Sequence, residues 1–137
     1  MEDCVFCAIA AGAEPADLVW GSERLVAFLD RRPLFKGHVL LVPREHVVTL
    51  PDLPAALREE FLAAAQRLCA AMVDVLGAQG SFCAVNNTVS QSVPHLHLHV
   101  VPRTRGDGLR GFFWPRRKYA AGESAEYAAR LRAALDA

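Results

Sequence analysis

Gln91-Ser92-Val93-Pro94-His95-Leu96-His97-Leu98-His99-Val100-Val101-Pro102-Arg103 places an imidazole at every second position over five residues, with leucines between. Side chains of a strand alternate between its two faces. The spacing predicts a strand from His95 to Val101, with His95, His97 and His99 on one face and Leu96, Leu98 and Val100 turned into a core. Neighbouring imidazoles on that face stand about 7 Å apart at their Cα atoms. They are three of the chain's five histidines. Thr, Lys or Glu would serve a solvated face as well, so the enrichment points to chemistry. Two kinds are open. Imidazoles two apart can share a zinc ion. Alternatively a neutral imidazole attacks phosphorus while its neighbours orient it and bind the phosphoryl oxygens.

Upstream, three apolar stretches run from Leu18 to Trp20, Leu25 to Leu29 and Val39 to Val42, separated by Gly21-Ser22 and by Arg31-Arg32-Pro33 with Lys36-Gly37. Consecutive antiparallel strands account for them. Ser81 to Val85 reads as a further strand, joined to the histidine strand by the polar loop Asn86 to Ser92. Between these regions the period changes. Leu57, Phe61, Leu62, Ala65, Leu68, Cys69, Met72, Val75 and Leu76 recur at steps of three and four, with Arg58, Glu59, Arg67 and Asp74 between them. This is a long amphipathic helix with Pro54 in its first turn and Gly77 past its end. Cys4 to Gly12 reads as a short helical turn closed by glycine. Tyr127, Leu131, Ala134 and Leu135 mark one face of a C-terminal helix over about 124–136. Five strands and two substantial helices predict an α+β fold with an antiparallel sheet. Without repeats or a long linker, residues 1–137 read as one domain.

The chain has 137 residues, with 15 Lys and Arg against 15 Asp and Glu. Nucleic-acid and anionic-membrane binders live on basic excess, so neither is expected as a partner. The start Met1-Glu2-Asp3-Cys4 lacks the basic and apolar regions of a signal peptide, and the apolar runs fall far short of a membrane span. A cytoplasmic protein is expected, whose four cysteines are thiols or metal ligands rather than disulfides. Cys69, on the helix's apolar face, and Cys83, in a strand, read as core residues.

His95-Leu96-His97-Leu98-His99-Val100-Val101 resembles the signature of the histidine triad family, His-x-His-x-His followed by two apolar residues. Cys4-Val5-Phe6-Cys7-Ala8-Ile9, Val26-Ala27-Phe28-Leu29-Asp30, Gly37-His38-Val39-Leu40-Leu41-Val42-Pro43-Arg44-Glu45-His46, Asn86-Asn87 and Gln91-Ser92-Val93 resemble further family blocks in the family order. The resemblance covers about residues 4–115. It implies an antiparallel sheet with helices, paired into a homodimer. It also implies hydrolysis or transfer at the α-phosphorus of a purine nucleotide through a nucleotidyl-histidine intermediate, with no catalytic cofactor.

Position by position, the resemblance makes His97 the nucleophile, supported by His99 and His38. Gln91 and Ser92 would sit by the scissile bond, Ser92 as a hydrogen-bond donor to the leaving group. Phe28 and Asp30 match nucleoside-binding positions, Asp30 being suited to accept from ribose hydroxyls, and Asn86 matches a loop asparagine near the phosphates. On residue type alone, Phe28 serves equally as core, and Asp30 and Asn86 as turn residues. One departure is plain. The loop before the triad is commonly Gly-rich in the family, and here it is Asn87-Thr88-Val89-Ser90.

Cys4-x-x-Cys7 alone could be a redox pair, but it does not lie between strand and helix of a βαβ unit. In some relatives two N-terminal cysteines, the histidine of a Pro-x-x-His segment and the first triad histidine bind a structural zinc. This chain matches all four places with Cys4, Cys7, His46 and His95, a closed set with no open position. The segment Arg103 to Lys118 carries six basic residues against one acid. It reads as a solvated loop or as a screen for a substrate's extra phosphates. Trp114-Pro115 resembles a segment that reaches the active site near the dimer interface.

The reading is thus a homodimeric hydrolase acting on purine nucleoside phosphoramidates or related nucleotidyl esters. Its alternatives are a dinucleoside polyphosphate hydrolase, a nucleotide-binding regulator with incidental turnover, and a zinc hydrolase using all three triad histidines. The last is disfavoured by the lack of a nearby carboxylate base.

Overall fold

The computed structural model describes residues 3–110 and 116–136, so Trp114 and Pro115 lie outside the described residues. The chain divides into two compact units after Asp107.

The first unit opens with helix α1, Val5–Ala10, then strands β1, Leu18–Gly21, β2, Leu25–Leu29, and β3, Val39–Pro43. Two 3₁₀ turns, Leu50–Asp52 and Ala55–Leu57, lead into helix α2, Arg58–Asp74, and strands β4, Gly80–Ala84, and β5, Leu98–Arg103, complete the unit. The strands form one sheet in the order β1-β2-β3-β5-β4. Every neighbouring pair is antiparallel.

Register explains why β3 is buried along its whole length. Leu41 pairs with Ala27 on one side and Leu98 on the other, and that face packs under Leu57, Phe61, Ala65, Leu68 and Met72. The alternate residues Leu40, Val42, Val26 and Phe28 face the other way, against Phe6 and Ile9 of α1. A central strand covered on both faces loses the apolar-polar alternation of a half-exposed one. Burying each such aliphatic or aromatic side chain stabilises by about 1.5–3 kcal/mol. Arg67 of α2 stacks over Trp20 of β1 at 5.7 Å, and Ser22 donates to Glu60 at 2.6 Å, tying the helix to the β1 end of the sheet.

The antiparallel sheet of five strands, the long helix and the positive φ of Gly77 after it agree with the sequence reading. Four details differ. The long helix begins at Arg58 rather than near Pro54, which instead precedes a 3₁₀ turn. Leu62, Val75 and Leu76, assigned to its apolar face, are exposed: Leu62 lies off the stripe that meets the sheet, and the helix ends at Asp74, before Val75 and Leu76. Cys83 is exposed rather than core, since β4 is an edge strand, while Cys69 is half-buried against the core. The histidine strand starts at Leu98, not His95.

In the second unit, helix α3, Glu123–Leu135, follows Gly122 at φ 77°. Its Tyr127 ring lies 6.0 Å from that of Tyr119. Among the described residues no helix is long and apolar enough to cross a membrane.

Candidate active site and metal cluster

The triad spans a boundary between loop and strand. His95 and His97 precede the ladder; the chain bends through residues 92–95, where the His95 amide bonds Val93 O, and the Leu96 amide bonds Val47 O at 2.6 Å, so the segment has no strand partner. The alternation of faces nevertheless persists. Leu96, Leu98 and Val100 enter the core under α2, while the three imidazoles face the α1 side. That side is not solvent: His95 is 0% and His97 4% exposed.

Each ring is oriented by a specific bond. Nδ1 of His97 lies 2.7 Å from the carbonyl oxygen of His95. A carbonyl only accepts, so in the neutral ring Nδ1 carries the proton and Nε2 keeps its lone pair. His38 Nδ1 accepts from the Leu34 amide at 3.1 Å, which places the proton of a neutral His38 on Nε2. That nitrogen lies 3.0 Å from Nδ1 of His99. His99 thus accepts at Nδ1 and has its own proton on Nε2. Burial pushes His38 below the usual histidine range, against the opposing pull of Asp30 and with a smaller push from His97. Burial and then the neighbouring His97 and His38 lower His99 to about 4. Both rings are neutral at pH 7.

A cavity of about 780 Å³ opens beside the rings. Phe6, Ile9, Phe28 and Leu40 make its apolar wall; His97, His99, Ser92 and Asp30 bring polar groups to it. Phe28 answers to both sequence readings, being 2% exposed in the core cluster and also part of that wall. Asp30 accepts from the Arg32 amide at 2.9 Å through Oδ1, and its Oδ2 lies 3.7 Å from His38 Nε2.

Two sequence candidates stand elsewhere. Gln91 accepts from the Thr88 amide at 2.9 Å and donates to Val48 O at 2.6 Å, so its side chain is committed to the loop and is not part of the cavity wall. Asn86 is exposed and also outside that wall, while its neighbour Asn87 accepts from the Leu50 amide. In the glycine-free loop, Thr88 and Ser90 themselves take the left-handed conformation, at φ 70° and 62°. Arg103, in the basic segment, is held bidentately by Asp107 at 2.7 and 3.1 Å. The sequence reading missed Phe6, Ile9, Leu40, Arg31 and Arg32 as pocket residues. Arg31-Arg32 directly follow Asp30, and Phe6 lies between the paired cysteines; both positions were signals in plain view.

Cys4, Cys7, His46 and His95 converge a short distance away, their ligand atoms all within 4.8 Å of one another. Cys4 Sγ is 3.3 Å from His95 Nδ1, and Cys7 Sγ is 3.2 Å from His46 Nδ1. His95 Nε2 lies 2.7 Å from Pro43 O and must donate to it, which leaves Nδ1 unprotonated and aimed at the thiols. Two thiols and two imidazole nitrogens, one imidazole oriented by a carbonyl behind it, fit a tetrahedral zinc ion. Burial and the neighbouring Cys4 hold the Cys7 thiol above its usual range. A bound cation reverses that balance and releases the proton.

An antiparallel sheet carrying three alternate imidazoles at the start of one strand beside an apolar pocket defines a histidine triad protein. Residues 11–106 match the HIT domain model, and the chain belongs to the HIT family. A HIT-like protein of Mycobacterium tuberculosis is 39% identical over 108 residues, covering 77% of this chain and 75% of that one. The adenosine 5'-monophosphoramidase of Schizosaccharomyces pombe is 30% identical over 114 residues, covering 82% and 83%. Among solved structures, a zinc-bound histidine triad family protein of Mycobacterium smegmatis is similar with a TM-score of 0.73 and 38% identity, covering 97% of this chain and 98% of that one.

Proposed function

We propose that the protein hydrolyses purine nucleoside phosphoramidates or related nucleotidyl esters at the α-phosphorus through a nucleotidyl-His97 intermediate. The observation that carries this reading is the 2.7 Å bond from His97 Nδ1 to the His95 carbonyl beside the pocket, which leaves Nε2 free to attack.

In the first step, the Nε2 lone pair forms a bond to phosphorus as the bond to the leaving nitrogen or oxygen breaks, and the proton that the leaving atom takes up is restored by the water of the second step, whose hydroxyl goes to phosphorus. Ser92, on the pocket wall, is the hydrogen-bond donor to that leaving group. His99 Nε2-H supports a phosphoryl oxygen, its tautomer held by His38. Water then cleaves the phosphorus-nitrogen bond and regenerates neutral His97, releasing a nucleoside monophosphate. Asp30 takes the ribose hydroxyls and Phe28 packs on the nucleoside. Gln91 supports Ser92 through the loop it braces, and Asn86 belongs to the same loop region.

Zinc in the Cys4, Cys7, His46 and His95 cluster supplies a structural crosslink, and no chemical step passes through it. Those thiol ligands suit a reducing compartment, the cytoplasm. We also propose that residues 1–137 act as one domain in a homodimer. Light scattering that finds a fully active monomer contradicts the dimer.

The S. pombe relative's name supports the phosphoramidate reading. The deciding experiment compares kcat/KM for adenosine and guanosine phosphoramidates with that for dinucleoside polyphosphates. Preference for the polyphosphates overturns the substrate class, and tight binding without turnover on the whole panel favours a nucleotide-binding regulator.

A further inference from the structure

Helix α1 carries both thiols of the cluster and one wall of the pocket. Cys4 is its N-cap, its sulfur accepting from the Cys7 amide at 3.4 Å. Between the two thiols, Phe6 presents its ring edge-on to His97 at 5.0 Å, to Phe28 at 5.4 Å and to His95 at 5.9 Å. Ile9, one turn on, lines the same cavity.

A helix of six residues has no stability of its own, because nucleation costs more than so few hydrogen bonds return. Its placement depends on anchors. Arg44 holds the C-terminal end by donating to Ala10 O at 2.8 Å. Phe6 and Ile9 pack its middle against Val26, Phe28, Leu40 and Val42, and at the other end the anchors are the contacts of Cys4 and Cys7 with His46 and His95. His95 belongs to both sites: its Nδ1 faces the thiols, and its carbonyl oxygen orients His97.

We propose that the Cys4, Cys7, His46 and His95 cluster is an allosteric metal site: zinc bound there and nucleotide bound in the pocket strengthen each other through α1, with Phe6 as the positioning residue. This rests on the nucleotide pocket proposed above. Without the metal, a nucleotide must hold the Cys4 end of α1, and with it the Phe6 ring, in place at its own expense to complete the apolar wall. With the metal bound, that ordering is already done, so less of the nucleotide's interaction energy is consumed. Linkage then requires the nucleotide to raise zinc affinity by the same factor.

The test uses the full chain, zinc ions and AMP, the product of the proposed reaction on adenosine substrates. Zinc affinity is measured by chelator competition with and without saturating AMP, and AMP affinity by calorimetry on zinc-loaded and stripped protein. Both constants should tighten by the same factor, about fivefold or more. Hydrogen exchange at the Cys7 to Ala11 amides should slow with either ligand and slow further with both. Phe6→Leu keeps all four ligands and an apolar wall; it should cut the coupling to below about twofold and leave zinc affinity without AMP unchanged. If zinc and AMP both bind and neither constant responds to the other ligand, the coupling is overturned while the proposed function stands. If AMP binds neither form, the nucleotide pocket falls and the coupling falls with it. Full coupling in Phe6→Leu overturns the part assigned to Phe6.

Discussion

His38 Nε2 and His99 Nδ1 lie 3.0 Å apart, and the direction of their hydrogen bond is set by the Leu34 amide on the far side of the His38 ring. The chain of donors ends at the Nε2-H of His99, beside the cavity that His97 and Asp30 also line. Both rings must be neutral for this order to hold.

That requirement has a pH signature. Burial lowers the folded-state values of both histidines, His99 to about 4, whereas the unfolded chain takes up protons near 6.5. The unfolded state therefore binds more protons between these limits, and stability falls with falling pH there. Thermal midpoints should be level above about pH 6.5 and decline towards pH 4, and His99→Gln should make the decline shallower. An equal slope in the variant contradicts the neutral pair.

Asp30 carries the proposed ribose contact. Asp30→Asn should lower kcat/KM for a ribonucleoside substrate by about tenfold or more, the scale of a lost charge-assisted hydrogen bond. The loss should shrink for a 2',3'-dideoxyribose analogue, which offers no hydroxyls. An equal loss on both sugars places the function of Asp30 at His38 instead.

Zinc should stabilise the folded chain. At free zinc 100-fold above its dissociation constant the gain is about 2.7 kcal/mol. A Cys4→Ser/Cys7→Ser variant, or chelator treatment, should lower the thermal midpoint by a corresponding amount. At saturating substrate kcat should stay within about threefold of wild type. Purified protein without zinc, or abolished kcat in a folded variant, contradicts this assignment.

Thr88, at φ 70°, holds a conformation that costs a β-branched L-residue about 1–2 kcal/mol. Thr88→Gly removes that cost, offset by the extra freedom of glycine in the unfolded chain. Denaturant titration should show a net gain of about 0.5–1 kcal/mol. A loss shows that the Thr88 side chain contributes more than its strain costs.

The sheet was legible because apolar runs bounded by turn residues give strands almost directly, as at Leu25 to Leu29 and Val39 to Pro43. Period alone misplaced the start of β5, since the chain bends at His95 and the Leu96 amide bonds the Val47 carbonyl in a loop rather than a strand. Helical period likewise marked Leu62, Val75 and Leu76 as core, although Leu62 lies off the stripe of α2 that meets the sheet and the helix ends before Val75. At the site, the cysteines and histidines of the cluster were legible as residue types with few other uses. Gln91 was not, because its partners, the Thr88 amide and the Val48 carbonyl, are backbone groups that no sequence pattern announces.

In the proposed reaction His97 Nε2 is the attacking atom. Rapid quench of the enzyme with a phosphoramidate labelled in the nucleoside, followed by peptide mass spectrometry at neutral to alkaline pH, should find a nucleotidyl group on His97. His97→Ala should show no adduct, a fall in turnover of about 10⁴-fold or more and nearly unchanged AMP binding. An adduct on any other residue, or near-normal turnover in His97→Ala, contradicts the account.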